Sequence, residues 1–528
     1  MSVEQADIIV IGGGSGGSAV AGRLVERGYK VCLLEAGGKN QGWRTRMPGA
    51  LAMQTGATNW RYETVPQAGL NGRRGFQPRG RGLGGSSAIN AMIYIRGNAW
   101  DYDNWEAMGC PGWSYADVLP YFKRAERNER GGDDYHGDEG PLWVSDQRHP
   151  NPGAIAFVEA GASLQIPRND DFNGERQEGI GLYQVTQKGG ERWSAARAYL
   201  DPKQHDPRLR VITGVTAERL LFEGGRAVGV SYLRGGRRTE LRGRAVVLSA
   251  GVFGTPQLLM LSGIGPAAHL AEHGIAVRVD RAAVGENLQD HLDYVAAYEC
   301  DDTRFLGTNL TGSLNALKAM VQWFRRREGL MTTPYAESGA FLKLEPDAPC
   351  PDVQLHFVIA ALEDHGRVKV RAHGYSGHVC VLRPESKGRV TLASADPRAM
   401  PLIDPQFLSD PRDLALMKKG VRAMYRILET PPMSDYQGRD RHPVDLNDDA
   451  AIEALIRARS DTIYHPVGTA RMGSDDAAVC DPKLRVRGVE GLYVADASIM
   501  PKLISGNTNA PSIMIGERAA EFVAADLG

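Results

Sequence analysis

The feature that most constrains the fold is residues 7–22, DIIVIGGGSGGSAVAG, where an apolar run leads into a cluster of glycines and then into a helix-forming segment. Gly12 lets the chain turn tightly after the strand, Gly14 leaves room for phosphates, and Gly17 lets helix and strand pack closely. Free N–H groups at the helix start, near Ser15, would face an anion. The segment predicts a site for a dinucleotide pyrophosphate, and it leaves open whether the dinucleotide is FAD or NAD.

A second apolar run, residues 29–34, ends in the acidic residue Glu35, which Ala36 follows in the predicted cofactor site. Strand, glycines, helix, second strand and terminal acid occur in the order of a βαβ unit that binds a dinucleotide. The Glu35 carboxylate is expected to accept hydrogen bonds from both ribose hydroxyls of the adenosine half, where it would repel a 2′-phosphate. A glycine-rich turn in an ordinary α/β unit is the alternative interpretation, and it leaves the ordered succession of these features unexplained.

Length and charge restrict what else the chain can be. Its 528 residues exceed the ~250–300 at which a single core stops growing, so two or more domains are expected. The 62 Lys and Arg residues nearly balance 63 Asp and Glu, and no basic segment is interleaved with aromatic residues. This balance argues against a nucleic-acid-binding protein, and the densest basic run, 234–244, is interpreted as a solvated hairpin.

The cysteines and the first residues bear on metals and on location. Six cysteines are scattered without CxxC spacing, which is typical of reduced thiols and predicts no metal site. The start, MSVEQAD, carries acidic residues rather than a basic n-region, which predicts a cytoplasmic protein without a signal peptide. Residues 245–265 are uncharged over a length that could span a membrane, but four glycines and Pro256 argue against a spanning helix.

Nucleotide-domain patterns occur in three separated blocks, 5–38, 209–265 and 484–528. Between them lie glycine- and proline-rich stretches and a mixed region, 296–460, that combines a helical segment with strand-like runs. This arrangement predicts an α/β protein (α+β overall), in which a Rossmann-like domain is interrupted by a domain with an antiparallel or mixed sheet and helices. We assign to the first domain residues 1–150, 195–295 and 462–528, and to the second residues 151–194 and 296–461.

Longer motifs carry a resemblance to a known family. Residues 80–103, GRGLGGSSAINAMIYIRGNAWDYD, and 251–265, GVFGTPQLLMLSGIG, are similar to the two signatures of the glucose-methanol-choline (GMC) oxidoreductases. The segments 463–473, IYHPVGTARMG, and 494–522 resemble the same family, so the likeness extends over nearly the whole chain. One position departs, because Val252 stands where a small residue such as Ala or Ser is usual, which predicts a local packing change.

The resemblance implies FAD as the dinucleotide, with an FAD-binding first domain and a substrate-binding second domain. Within the family the chain most resembles the FAD-dependent alcohol dehydrogenases of bacterial alkane degradation, through segments such as 171–200 and 401–410 that are shared with proteins labelled choline dehydrogenase. The expected reaction is oxidation of primary alcohols to aldehydes by hydride transfer to the flavin N5, with a quinone or another non-oxygen acceptor. Alternatives are an alcohol oxidase that reduces oxygen, a choline dehydrogenase, and a redox-silent lyase on the same scaffold. The sequence does not specify which alcohol is oxidised.

Two catalytic residues are implied by the resemblance. His465 occupies the position of the family's catalytic histidine, and imidazole suits a base because its unperturbed pKa of ~6.5 lies near working pH. Since Pro466 follows, His465 is expected on an extended segment. Asn509 matches the second active-site position, where its amide would donate to the developing alkoxide and its carbonyl would accept from the backbone or His465. Asn509 would also cap the C-terminal helix, with Pro511 in the first turn, and a cap alone is the alternative interpretation.

Further flavin contacts follow from position in the family motifs. They are Gly84, Gly85, Ser86, Asn90, Ala91, Val215, Asp496, Ala497, Asn509 and Pro511. Asn90 and Ala91 would lie against the isoalloxazine, and Val215 by the adenine. Asp496 and Ala497 would lie near the ribityl chain and the pyrophosphate. Family members with covalent flavin have a histidine immediately before the Asn90 position, and Ile89 stands there in this chain, so FAD is expected to be non-covalent.

One segment predicts a contact with a membrane. Residues 313–330, SLNALKAMVQWFRRREGL, combine apolar side chains with Lys318 and a basic end at 325–327. This pattern is typical of an interfacial amphipathic helix, which would hold the enzyme peripherally on the inner face of the cell membrane and near a quinone. A helix that packs between domains and has a solvated basic end is the alternative interpretation.

Overall fold

The computed structural model of the protein describes residues 4–528. Its α-helices are α1 (Ser15–Glu26), α2 (Trp43–Arg46), α3 (Ala99–Ala107), α4 (Tyr115–Ala125), α5 (Pro152–Ser163), α6 (Ala195–Tyr199), α7 (Gly251–Leu261), α8 (Ala267–Glu272), α9 (Leu310–Arg326), α10 (Pro411–Leu428), α11 (Asp449–Arg459) and α12 (Asn509–Leu527).

The strands form two large sheets and several two-stranded pairs. They are β1 (Glu4–Ile11), β2 (Val31–Glu35), β3 (Tyr62–Glu63), β4 (Phe76–Gln77), β5 (Glu126–Asn128), β6 (Leu142–Val144), β7 (Gly179–Leu182), β8 (Gln187–Lys188), β9 (Glu191–Arg192), β10 (Leu209–Thr213), β11 (Thr216–Glu223), β12 (Arg226–Arg234), β13 (Arg237–Leu248), β14 (Ile264–Gly265), β15 (Val279–Asp280), β16 (Leu292–Cys300), β17 (Ala336–Leu342), β18 (Val353–Val358), β19 (His373–Val381), β20 (Arg389–Thr391), β21 (Leu402–Asp404), β22 (Arg439–Asp440), β23 (Asp461–Thr462) and β24 (Leu492–Val494).

The first sheet is built around the glycine motif. Its strand order is β10-β2-β1-β13-β12-β11, and β24 pairs with the C-terminal end of β13. Strands β10, β2, β1, β13 and β24 are parallel, while β11 to β13 form an antiparallel meander. Residues 8–11 and 31–34 are all buried, as expected of parallel strands that are covered on both faces. The predicted Rossmann-like unit is confirmed, and the carboxyl ends of its parallel strands form the edge where such sheets bind ligands.

The second sheet is antiparallel. Its strand order is β22-β16-β19-β18-β17-β7, with β23 beside β16. Helix α10 packs on β19, and α5 packs on β17 and β7, around a core that includes Phe157, Leu355 and Val379. Strand β16 of this sheet begins at Leu292, three residues before position 295, where we ended the first domain. The inserted sheet with helices is confirmed, so the fold class is as predicted.

Helix α9 confirms the helical segment predicted near 313–328. It buries Gly312, Ala319 and Trp323, so one side of the helix is packed against the protein. On the other side, five apolar residues are between 45% and 79% exposed: Leu310, Leu314, Leu317, Val321 and Phe324. Across residues 4–528, the structure contains no helix with the length and apolar content needed to cross a membrane.

Candidate active site

A cavity of approximately 1420 Å³ lies between the carboxyl edge of the first sheet and one face of the second. Pockets for drug-sized ligands usually measure ~300–1000 Å³, so this one has room for a dinucleotide and a small substrate together. The predicted residues that line it are Gly12, Gly14, Ser15, Glu35, Ala36, Gly85, Ser86, Asn90, Ala91, Val215, His465, Asp496, Ala497 and Asn509. The other predicted residues, Gly17, Gly84 and Pro511, do not line the cavity.

The glycine motif has the geometry expected of a pyrophosphate site. Gly12 has φ +104°, and a Cβ there would lie 2.2 Å from the Ser249 carbonyl oxygen. A Cβ at Gly17 would lie 1.9 Å from the Gly12 carbonyl oxygen, so α1 and β1 approach this closely only because residue 17 has no side chain. A Cβ at Gly14 would meet nothing within 4 Å, and no side chain caps the start of α1. The open space before these unsatisfied N–H groups fits an anion.

The Glu35 carboxylate is held by backbone N–H groups of three loops around it. Its Oε2 accepts from the Gly13 N–H at 2.8 Å, and its Oε1 accepts from the N–H groups of Gly37 at 2.8 Å and Gly82 at 2.9 Å. A carboxylate offers about four lone-pair positions, so roughly one stays available for a ribose hydroxyl. The predicted hydrogen bonds to both ribose hydroxyls stay a prediction.

The first GMC-like signature folds onto the glycine motif. Gly84 has φ +88° and donates its N–H to the Gly13 carbonyl at 2.7 Å. Gly85 has φ +49°, and a Cβ there would lie only 2.7 Å from the Gly14 Cα. Glycine is required at both positions because their φ angles are positive and the two loops touch. This contact places the Ser86–Asn90 segment at the cavity wall.

Arg192, which sequence reasoning missed, orients Asn90. The guanidinium is completely buried, and its Nη1 donates to the Asn90 Oδ1 at 2.8 Å. The Met92 N–H donates to the same oxygen at 3.1 Å, so the Asn90 NH₂ group is left as a donor for the cavity. Burial lowers the pKa of Arg192 to about 9. Arg192 and Asn90 are 102 positions apart in the sequence, and no local pattern identifies this arginine as a partner of Asn90.

His465 is the end of a buried hydrogen-bond chain. Its Nδ1 lies 3.0 Å from the His291 Nδ1, and the His291 Nε2 lies 2.9 Å from the Leu382 carbonyl oxygen. On the other side of the ring, the His465 Nε2 lies 3.0 Å from the Asn507 Nδ2. The His465 backbone N–H donates to the Asp290 carboxylate at 2.9 Å, which fixes the segment before Pro466.

This hydrogen-bond chain determines the tautomers of His291 and His465. A carbonyl oxygen only accepts, so the His291 Nε2 must carry a hydrogen and donate it to Leu382. The Nδ1 of neutral His291 is then an acceptor, and the His465 Nδ1 must donate to it. The His465 Nε2 is left with its lone pair, which accepts from the Asn507 amide. His465 is thereby held in the tautomer whose free base nitrogen lies on the Asn507 side.

Burial keeps both histidines neutral. It lowers the pKa of His465 well below its ordinary value, with smaller contributions in the same direction from His291, His356 and Arg79. Burial also lowers the pKa of His291 to about 4. The charged form of each ring is disfavoured because it would have to leave water for a low-dielectric interior. A neutral imidazole with an oriented lone pair is the form that a general base requires.

The predicted catalytic role of Asn509 stays a prediction. Asn509 lines the cavity, and its Oδ1 accepts from the Ser15 hydroxyl at 2.7 Å rather than from His465. It is also not the helix cap, because Thr508 is the N-cap of α12 and Asn509 is the first residue inside the helix. Asn507 is the amide that hydrogen-bonds the His465 Nε2, and its Oδ1 accepts from the Gln354 Nε2 at 3.3 Å. The first turn of α12 directs Asn509 to the start of α1, whereas Asn507 precedes the helix.

The two sheets, the glycine motif and the cavity between them define a dinucleotide-binding α/β protein with an oriented histidine in its cavity. Residues 6–293 match the N-terminal part of the GMC oxidoreductases, and residues 384–516 match their C-terminal part. The chain belongs to the GMC oxidoreductase family.

Relatives of this chain are similar over nearly its whole length. An alcohol dehydrogenase [acceptor] of Pseudomonas putida is 45% identical over 98% of this chain and 95% of its own. An oxygen-dependent choline dehydrogenase of Burkholderia multivorans is 43% identical over 99% of this chain and 94% of its own. Among solved structures, pyridoxine 4-oxidase from Mesorbium loti has a TM-score of 0.88 at 30% identity, covering 98% of this chain and 99% of its own. Formate oxidase of Aspergillus oryzae has a TM-score of 0.92 at 27% identity, covering 100% and 99%.

Proposed function

We propose that this enzyme oxidises primary alcohols to aldehydes, with FAD as its cofactor and an electron acceptor other than oxygen. The observation that carries the proposal is the Nε2 lone pair of His465, which the buried hydrogen-bond chain directs to the Asn507 side. The P. putida relative, named for alcohol oxidation with an acceptor, supports it at 45% identity. When FAD is bound, its isoalloxazine N5 supplies the hydride acceptor.

The protein's own groups move the proton and hold the oxygen. The substrate hydroxyl would take the place of Asn507 as donor to the His465 Nε2, which accepts the hydroxyl proton. The Asn507 NH₂ group would then donate to the substrate oxygen as negative charge develops on it. After it has accepted the proton, His465 carries N–H groups on both ring nitrogens. Its Nδ1–H keeps its hydrogen bond to His291.

Anaerobic stopped-flow absorbance with a panel of alcohols tests the proposal. We expect primary alcohols to bleach the flavin and an artificial quinone to restore its colour. Peroxide formation under air at the rate of turnover would instead identify an alcohol oxidase. Absence of bleaching by every alcohol would leave the lyase alternative.

We also propose that FAD is bound without a covalent link. Ile89 occupies the position at which covalently flavinylated family members have a histidine, and an aliphatic side chain has no nucleophile with which to bond the flavin. Residues of both sheets would contribute to binding, with residues 151–194 and 296–461 providing most of the substrate side of the cavity.

Asn507 and Asn509 are expected to have separable functions. Asn507→Ala should slow flavin reduction about 10²- to 10³-fold, because loss of one oxyanion donor has an effect of this size. Asn509→Ala removes the bond to Ser15 and should instead weaken FAD retention. FAD release on dilution, followed by fluorescence, and stopped-flow reduction at saturating FAD separate the two effects. A slower reduction step in Asn509→Ala than in Asn507→Ala would contradict the assignment.

We propose further that α9 binds an anionic membrane surface, where a quinone would accept the electrons. The exposed apolar residues of α9, which we call the α9 stripe, are Leu310, Leu314, Leu317, Val321 and Phe324. The stripe is flanked by exposed Lys318, Arg325 and Arg326, and residues 310–327 contain no acidic side chain. A second copy of this basic helix would be repelled, whereas anionic lipid headgroups would be attracted, and the stripe would enter the acyl boundary.

Vesicle binding tests this contact. Leu314→Glu with Leu317→Glu should lower partitioning onto phosphatidylcholine vesicles containing phosphatidylglycerol at least about tenfold, because burial of a leucine contributes ~1.5–3 kcal/mol. Ile155→Glu is the matched control, since Ile155 is an exposed apolar residue on α5 with 46% of its surface accessible. Cosedimentation measures the partitioning. Equal loss of binding in the control, or no binding by the unaltered enzyme, would contradict the proposal.

A further inference from the structure

A row of polar side chains crosses the cavity face of the second sheet. Asp293 lies on β16, His378 on β19 and His356 on β18, and all three line the cavity. His356 and His378 are directly opposite each other in the antiparallel pair of β18 and β19. In the pair of β16 and β19, Val295 is opposite His378. Asp293 is two residues before Val295 on β16, so both lie on the same face of the sheet as His378. The sequence pattern of alternating positions therefore brings these three groups to one surface.

Several hydrogen-bonding atoms of this row have no protein partner. The His378 Nδ1 bonds the Asp293 Oδ2 at 2.7 Å, which leaves the Asp293 Oδ1 and the His378 Nε2 unpaired. His356 makes no hydrogen bond through either ring nitrogen, although only 2% of its surface is exposed. Each buried polar group without a partner costs ~1–3 kcal/mol. Water in the cavity or a bound ligand must supply the missing bonds.

The chemistry of the row selects the kind of ligand. Burial lowers the pKa of His356 to about 3, so the ring is neutral and offers one donor and one acceptor. In residues 4–528 no cluster of His, Cys, Asp or Glu is arranged to hold a metal ion. A hydroxyl group can accept from the N–H of His356 and donate its one hydrogen to a free acceptor of the row, the His378 Nε2 or the Asp293 Oδ1. An alkyl tail would leave these atoms unpaired, and a trimethylammonium group has no N–H or O–H to donate.

We propose that Asp293, His378 and His356 form a subsite for a second hydroxyl group of the substrate, so that the preferred alcohols are diols or similarly hydroxylated compounds. The inference rests on the proposed oxidation of primary alcohols, and it adds the substrate class. The reacting hydroxyl is placed by His465 and Asn507, and the second hydroxyl is placed at a fixed distance from it by the rigid sheet. The length of the substrate between its two hydroxyls is consequently restricted.

A length series in the unaltered FAD-loaded enzyme tests the subsite. The α,ω-diols from propanediol to octanediol are compared with the 1-alkanols of equal length by anaerobic flavin reduction. We expect one diol length to exceed its alkanol at least about tenfold in the ratio of reduction rate to apparent Kd, with lower ratios on both sides. A diol has two equivalent hydroxyl groups, so a twofold advantage over the alkanol is expected without any subsite. Diol ratios within this factor of two of the alkanol ratios at every length would overturn the subsite alone. Preference for choline would overturn it in favour of a cation site at Asp293, and no bleaching by any alcohol would overturn the proposed function as well.

A variant pair locates the preference. His356→Leu removes both ring nitrogens and should reduce the diol preference to within about threefold of parity. The variant is expected to fold, because an apolar side chain replaces buried nitrogens that have no partner. His373→Leu is the matched control, since His373 is a buried histidine on β19 that does not line the cavity. The control should keep the diol preference, and its loss in both variants alike would overturn the assignment to His356.

Discussion

His465→Ala is expected to slow flavin reduction by a primary alcohol about 10²- to 10⁴-fold, the usual contribution of a positioned general base. The variant removes the nitrogen that we propose as the acceptor of the hydroxyl proton, which the hydrogen bonds from Leu382 through His291 orient. FAD should remain bound, because the glycine motif and Glu35, which we expect to hold it, belong to the unit formed by β1, α1 and β2 and are unchanged in the variant. Anaerobic stopped-flow absorbance measures the rate, and the visible spectrum measures FAD content.

The control for His465→Ala is His373→Ala. His373 is another buried histidine, and its Nδ1 lies 2.8 Å from the Phe305 carbonyl oxygen. It should reduce the flavin at a rate close to that of the unaltered enzyme. A rate for His465→Ala within tenfold of that enzyme, with FAD bound, would refute the role of His465 as base.

The pH dependence gives an independent reading of the same group. Burial lowers the pKa of His465 well below 6.5, and the nearby His291, His356 and Arg79 act in the same direction. A base with a lowered pKa is neutral and active above that pKa, so its activity declines only as pH falls through it. We therefore expect the ionisation of His465 to leave the rate of flavin reduction constant from neutral pH upward. The rate should fall only below pH 6.5, where His465 becomes protonated. An acid limb above this value would contradict a buried neutral base.

The parts of the site that the sequence predicts are those determined by local geometry. Gly12 needs its positive φ and Gly17 its missing side chain whatever the rest of the chain does, so a short motif identifies them. Strand β1 and helix α1 follow from the same segment, and the parallel sheet follows from repeated buried apolar runs. Periodicity likewise predicts α9, although only the structure shows that its apolar stripe is exposed.

The parts that the sequence did not predict depend on contacts between distant segments. Asn507 and Asn509 are two positions apart, and only the start of α12 decides which one reaches His465 and which one reaches Ser15. His291 meets His465 across 174 positions, and Arg192 meets Asn90 across 102. A histidine or arginine in a strand looks the same in sequence whether it lines a cavity or not. Pairing of strands far apart in the chain supplies this information.

His291→Leu is expected to slow flavin reduction about 10- to 100-fold without loss of FAD. The variant removes the acceptor of the His465 Nδ1–H, so this hydrogen is left unpaired in a buried place and the tautomer is no longer fixed. The effect is largest once His465 has taken the substrate proton, because hydrogen bonds to charged groups contribute ~1.5–3 kcal/mol. Stopped-flow reduction at saturating alcohol measures the change, and the apparent Kd of the alcohol should change far less than the rate.

His291→Asn is the matched variant, because asparagine and leucine have similar shape and the Asn Oδ1 can replace the Nδ1 acceptor. It should recover most of the lost rate, whereas a purely structural effect of removing the ring would slow both variants alike. The acid limb separates the explanations further. Burial lowers the pKa of His291 to about 4, which favours the neutral ring at working pH, so its removal changes hydrogen bonding to His465 rather than charge. The rate of His291→Leu should therefore be lower across the whole plateau above pH 6.5, and a loss that disappears at alkaline pH would contradict a positioning role.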